Sequence, residues 1–205
     1  MKRVLCLVSA AMLVGLAAFA QQPGGGQPPA AATLAVGLQR AYAGIKTNLT
    51  QAAEKMAEGD YDFKPNPDIR TFGGQLAHVA QFHYLFCSGA KGVANPIQGQ
   101  NLEMTKTTKA DVVKALGDSL AFCDDAFSAL TDASAVELVT QGRGQIARGA
   151  VLANLIAHDS EEYGITTVYM RLKTVVPPST ANAPQRGGRG GAGGGQGAPP
   201  ARGRD

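Results

Sequence analysis

Two polar residues interrupt an otherwise apolar helical face in the last third of the chain. The face follows steps of three and four residues through Leu152, Leu155, His158, Glu162, Ile165 and Tyr169. Residues four apart lie one above the other on a helix. The imidazole of His158 and the carboxylate of Glu162 could therefore ligate one cation, and zinc, iron, nickel and manganese all accept such ligands.

A third candidate ligand lies on an earlier helical segment. His78 shares a face with Phe82 and Leu85. Two histidines and one carboxylate facing each other across a helix bundle would leave coordination positions open for water, as in catalytic metal sites. We therefore expect a divalent metal ion (Zn, Ni, Mn or Fe) at His78, His158 and Glu162. The same periodicity also allows a buried hydrogen bond between His158 and Glu162 beside an unrelated core histidine.

Neighbouring titratable residues receive weaker assignments. His83 lies five residues after His78, about 140° around the helix, so we expect it to be partly exposed. Asp159 and Glu161 fall on other faces than the ligand pair and are expected to be solvated. Tyr163 and Glu161 are weak candidates for a proton donor or acceptor, and no catalytic residue is assigned.

The cysteines allow two interpretations. Cys6 lies inside the apolar N-terminal run, and its removal would leave Cys87 and Cys123. In an oxidising compartment an even pair can form a disulfide. Two small apolar core residues are the alternative, because the sequence does not give the Cα separation that a disulfide requires.

Helices must position these side chains. Apolar residues recur at helical spacing over residues 33–59, 71–92, 108–130 and about 145–173, with Thr33 as the first N-cap. No segment has a convincing run of alternating strand residues. We therefore predict an all-α protein, an antiparallel four-helix bundle with one longer connection between its second and third helices.

The two ends differ in composition from the middle. Residues 1–20 combine Lys2 and Arg3 with an apolar run that ends in small residues, which predicts a secretory signal peptide and hence export to the periplasm or the extracellular space. Residues 21–32 form a Pro/Gly/Gln/Ala spacer, and residues 180–205 a Gly/Arg/Pro-rich tail; both are predicted to be disordered. The bundle then occupies residues 33–179, and no membrane span is expected after signal cleavage.

The net charge of +3 comes from those ends. Lys2 and Arg3 contribute +2 and the last twenty residues +3, so the rest of the chain carries −2. A nucleic-acid-binding domain concentrates Lys and Arg on its folded part. We therefore expect no nucleic acid as a partner.

Three segments of the chain carry a family resemblance. They are RTFGGQLAHVA at residues 70–80, FCSGAKG at 86–92 and AHDSEEYG at 157–164, followed by Tyr169, Arg171, Leu172, Val176, Pro177 and Pro178. Together they resemble the DinB-like family. The resemblance covers residues 33–179 in order and spacing. It implies a four-helix bundle that holds a divalent metal with one histidine on the second helix and a His-x-x-x-His pair on the last. His78 matches the histidine of the second helix, and His158 matches the first histidine of the pair.

The resemblance also suggests an activity. Some members of the family are thiol transferases, and most are regarded as metal-dependent hydrolases without a known substrate. Glu162 occupies the position at which the third ligand is usually histidine. This substitution either keeps a usable set of two histidines and one carboxylate, or marks a member that no longer binds metal. The chain is thus expected to be an exported metal-dependent hydrolase or thiol transferase with a small-molecule or thiol substrate, and a homodimer is compatible with the fold. The alternative is a metal-free binding or structural module of the cell envelope.

Overall fold

Four long α-helices dominate the computed structural model, which describes residues 32–183. They are α1 (Leu34–Lys55), α2 (Phe72–Lys91), α4 (Lys109–Ser128) and α6 (Arg148–Leu172). Short elements connect them: a 3-10 turn (Glu58–Asp60), α3 (Leu102–Thr105), α5 (Asp132–Ala135), β1 (Leu138–Gln141), β2 (Gly144–Ala147) and, at the end, α7 (Pro178–Ala181). The predicted all-α antiparallel four-helix bundle is confirmed.

Threonine side chains fix the start of three of the long helices. Thr33, Thr71 and Thr108 each have an extended backbone, and each hydroxyl accepts a hydrogen bond from the backbone N–H three residues later. Such caps satisfy amide groups that have no partner inside the helix. The helix starts predicted from these threonines therefore match the structure to within a residue.

The packing makes α2 a central helix. Both α1 and α2 pack against α4 and α6, and α2 also contacts α3 and β1. Its side chains are accordingly buried on most sides, from Phe72 and Leu76 to Cys87 and Ala90. A helix with neighbours on several sides has little solvent-facing surface, so polar residues of α2 such as Gln75, His78 and His83 are buried as well.

A β-hairpin precedes the last long helix, and here the sequence-based prediction was wrong. β1 and β2 pair antiparallel in a register that sets Leu138 opposite Ala147 and Gln141 opposite Gly144. Gly142 begins the two-residue turn with a φ of 60°, a left-handed conformation that favours glycine. Because the hairpin takes up residues 144–147, α6 begins at Arg148 and not near residue 145.

The predicted terminal segments lie almost wholly outside the described residues. The signal peptide at 1–20, most of the 21–32 spacer and the tail beyond residue 183 fall there. α7 runs across the boundary that we predicted at residue 179 between the bundle and the tail. Among residues 32–183, no helix combines the length and the apolar character needed to cross a bilayer.

Candidate metal centre

Three side chains from two helices converge beside the bundle core. His78 comes from α2, and His158 and Glu162 come from successive turns of α6. Nε2 of His78 lies 3.3 Å from Nε2 of His158, and each of these nitrogens lies 3.6 Å from Oε1 of Glu162. The structure therefore brings together all three residues that the helical spacing selected.

The three ligand atoms form a nearly equilateral triangle that suits a metal ion. A point equidistant from them lies about 2.0 Å from each, which is the usual length of a bond from zinc to histidine nitrogen or carboxylate oxygen. Two neutral imidazoles and one carboxylate are also a donor set that divalent transition metals accept. The residues present therefore fit a bound divalent ion.

The site lies at the edge of the core. His78 and Glu162 are each 8% exposed, while His158 is half-buried. Ile165, seven residues after His158 and so nearly on the same side of α6, is 39% exposed, although we had placed it on the inward face. A small molecule could therefore approach from the His158 side.

Glu103 contacts the first candidate ligand. Its Oε1 lies 2.6 Å from Nδ1 of His78, and its Oε2 accepts a hydrogen bond from Nε of Arg70 at 2.8 Å. Partial burial acts to raise the pKa of Glu103, but hydrogen bonds and charge from Arg70 and His78 outweigh it and hold the pKa below its usual value. An ionised Glu103 accepts the Nδ1 proton of His78, which leaves the Nε2 lone pair facing the site.

Gln75 orients the carboxylate. It is buried one turn before His78 on α2, and its Nε2 donates a hydrogen bond to Oε2 of Glu162. The other oxygen, Oε1, then remains directed at the two histidines. Gln75 is not among the residues predicted from the sequence, although its position three residues before His78 puts it on the same helix face.

Aromatic rings cover one side of the ligand pair. The ring of Phe82 stacks on that of His158 with centroids 4.6 Å apart and lies 4.5 Å from the ring of His78. Phe86 follows at 6.0 Å from His158. Both phenylalanines are half-buried, so they restrict the orientation of the imidazoles and shield that side of the site from water.

Two residues expected at the surface are fully buried, so those predictions were wrong. His83 and Asp159 are both 0% exposed, and His83 Nε2 lies 3.1 Å from Asp159 Oδ2. The side of α2 that carries His83 faces α4 and α6, because α2 is the central helix. Burial acts to raise the pKa of Asp159, but His83 and His158 outweigh it and lower the pKa below its usual value.

The remaining candidates lie elsewhere. Cys87 and Cys123 form a disulfide between α2 and α4, with Cα atoms 5.4 Å apart. Glu161 is exposed. The hydroxyl of Tyr163 accepts a hydrogen bond from the backbone N–H of Ser179 and lies 3.0 Å from its Oγ, which ties α6 to α7. Within residues 32–183, neither Glu161 nor Tyr163 forms a side-chain hydrogen bond or an ion pair with the three candidate ligands.

Most of the bundle matches a known protein family. Residues 42–165 match the sequence profile of the DinB superfamily. The matched region begins in α1 and reaches beyond Glu162, so it contains all three candidate ligands. No curated protein matches the chain.

Solved structures share the fold at low sequence identity. A DinB-like protein from Bacillus cereus ATCC 10987 is 17% identical with a TM-score of 0.60, and the match covers 69% of this chain and 94% of that one. For a DinB-like protein from Bacillus subtilis the identity is 17%, the TM-score 0.52 and the coverage 67% and 92%. A conserved protein from Enterococcus faecalis is 13% identical, with a TM-score of 0.53 and coverage of 66% and 94%.

Proposed function

Since the chain belongs to the DinB superfamily, we propose that it binds one divalent metal ion through His78, His158 and Glu162. The observation that carries this proposal is the triangle of ligand atoms, with sides of 3.3, 3.6 and 3.6 Å. Zinc, nickel, manganese and iron all suit two imidazoles and a carboxylate. In this proposal, a carboxylate oxygen of Glu162 occupies the ligand position that a third histidine usually fills in the family.

We further propose that the protein is a hydrolase or a thiol transferase that acts on a small molecule. A divalent ion held by three protein ligands supplies a Lewis acid that makes a water or thiol more acidic. The chain's own residues prepare the site: Glu103 and Gln75 orient two ligands, and Phe82 keeps water from one side. A small substrate would reach the site at His158, whose side chain is 16% exposed. A low-molecular-weight thiol is the class that the family resemblance favours.

Export is part of the proposal. The N-terminal sequence has the composition of a secretory signal peptide, with Lys2 and Arg3 before an apolar run. The disulfide between Cys87 and Cys123 supports the same conclusion, because disulfides persist in oxidising compartments such as the periplasm and the extracellular space.

Metal analysis of the untagged protein tests the proposal. We expect one equivalent of metal in the wild type after reconstitution and purification, and loss of that metal in H158A and E162A. Glu161→Ala is a matched control, since this exposed residue precedes Glu162 on the same helix. A wild-type protein that retains no metal and shows no thermal shift with Zn²⁺, Ni²⁺ or Mn²⁺ would contradict the proposal.

The alternative function is a metal-free binding or structural module of the cell envelope. One observation favours it: the 3.3 Å separation of the two Nε2 atoms also allows a hydrogen bond between His78 and His158. In that case H158A would lower the stability of the protein in the presence of a chelator as much as in the presence of metal. In the metal-binding protein, the loss would be larger with metal present.

A further inference from the structure

A buried polar chain leads from the candidate metal centre into the core. Asp159 follows the ligand His158 on α6, and its two oxygens face different histidines. Oδ2 lies 3.1 Å from Nε2 of His83, and Oδ1 lies 3.6 Å from Nδ1 of His158. Within residues 32–183, Oδ1 of Asp159 and Nδ1 of His158 have no hydrogen-bond partner although both are buried.

The inner end of the chain is Ser119 on α4. Nδ1 of His83 lies 2.8 Å from Oγ of Ser119, which in turn donates its hydrogen to the carbonyl of Leu116 at 2.8 Å. The carboxylate of Asp159 can only accept, so Nε2 of His83 donates to it. His83 thereby connects α4 to Asp159 with both ring nitrogens.

This serine, histidine and aspartate do not form a nucleophilic site. All three residues are fully buried, and the Ser119 hydroxyl points its hydrogen at a backbone carbonyl. Burying the carboxylate of Asp159 costs free energy unless hydrogen-bond partners compensate for it. The presence of this carboxylate in the core therefore requires a role other than that of a nucleophilic triad. Its unpartnered oxygen, Oδ1, indicates that role, because it faces the unpartnered Nδ1 of the candidate ligand His158.

We propose that Asp159, held in place by His83, is the positioning residue of the ligand His158. By accepting the Nδ1 hydrogen of His158, it fixes the tautomer in which Nε2 carries the lone pair directed at His78 and Glu162. A small rotation of the His158 ring closes the 3.6 Å separation to a hydrogen bond. This inference rests on the proposed metal site, in which Glu103 serves His78 in the same way.

Zinc affinity and the tautomer of His158 test the proposal together. Affinity is measured by competition with a chromophoric chelator, on protein shown by circular dichroism to be folded. We expect D159N to bind Zn²⁺ about 10–100-fold more weakly than the wild type, because its one remaining oxygen accepts from Nε2 of His83 and its amide nitrogen then faces Nδ1 of His158. H83Q should be weakened in the same direction. Tyr61→Phe is the matched control: it removes a buried hydroxyl that donates to the carbonyl oxygen of Ala53, and it should keep wild-type affinity.

Nitrogen-15 NMR of the imidazoles reports the tautomer of His158. This tautomer would not change in D159N if Asp159 had only a structural role. In the metal-free wild type at pH 8 we expect His158 to carry its hydrogen on Nδ1, and in D159N to shift toward the Nε2–H form. A wild-type His158 with its hydrogen on Nε2 would overturn the proposal without any variant. Wild-type zinc affinity in folded D159N and H83Q would overturn it equally.

The two proposals fail in different ways. If the wild-type protein does not bind Zn²⁺ or another divalent ion, the proposed function is wrong, and the tautomer still reports whether Asp159 positions His158. If the wild type binds metal and folded D159N binds it as tightly, only the positioning role is wrong.

Discussion

His78 and Glu103 form a 2.6 Å contact between Nδ1 and Oε1 across 25 residues of sequence. His78 lies in the second turn of the central helix α2, whereas Glu103 belongs to the four-residue helix α3 in the connection to α4. Arg70, just before the start of α2, holds the second oxygen of Glu103. The connection thus does more than join two helices, because it supplies a carboxylate that contacts Nδ1 of a candidate metal ligand.

Removing this contact should weaken metal binding. We expect Glu103→Ala to lower Zn²⁺ affinity by about 10–100-fold, and Glu103→Gln by less, because the amide oxygen can still accept the Nδ1 hydrogen of His78. Chelator competition measures both, with Glu161→Gln as a control for the loss of one carboxylate. Equal affinities for the alanine and glutamine variants would show that the contact does not orient His78.

Gln75 should stabilise the metal-free protein. In Gln75→Leu, Oε2 of the buried Glu162 loses the amide that donates to it, and a buried acceptor without a donor costs about 1–3 kcal/mol. Urea unfolding in the presence of a chelator measures the loss. Gln98→Leu, at an exposed position, should change the free energy of unfolding by no more than about 0.5 kcal/mol. Similar values for the two variants would contradict this account.

Helical periodicity and the family resemblance together selected the candidate ligands. His78, His158 and Glu162 each fall in register with apolar residues of their own helix, and in a bundle such faces point at one another. The geometry of the site then follows from helix packing, since successive turns of α6 place His158 and Glu162 beside His78 on α2. Local spacing therefore predicted the residues, although not the distances between their atoms.

The same reasoning failed for His83 and Asp159, because it compared each residue with a single apolar face. A rotation of about 140° from His78 leads to solvent only on a helix with one neighbour. In this bundle that direction leads to α4, and Ser119 lies there. Glu103 could not be predicted either, because its approach to His78 depends on the path of an irregular connection.

Loss of the disulfide should destabilise the bundle. Cys87 and Cys123 close a loop with a sequence separation of 36, for which the entropy of the unfolded chain predicts about 3–4 kcal/mol of stabilisation. The double variant Cys87→Ala/Cys123→Ala should lose most of it in urea unfolding. A reducing agent should destabilise the wild type similarly and leave the double variant unchanged; a wild type that resists full reduction without loss of stability would contradict the prediction.

Two glycines should respond to alanine in opposite directions. A Cβ added at Gly73, near the start of α2, would lie 3.0 Å from Cδ1 of Tyr61 and 3.2 Å from its carbonyl oxygen, which already accepts the Gly73 N–H. Such crowding of the backbone predicts a loss of about 1–3 kcal/mol in Gly73→Ala.

Gly117 provides the matched comparison. It is exposed in the middle of α4, has helical backbone angles, and a Cβ added there meets no atom within 4 Å among the described residues. Gly117→Ala should therefore raise the free energy of unfolding by about 0.4–1 kcal/mol, because alanine lowers the entropy of the unfolded chain. Thermal and urea unfolding of both variants measure the two shifts. A loss of stability in Gly117→Ala as large as in Gly73→Ala would show that contact with Tyr61 is not what requires glycine at residue 73.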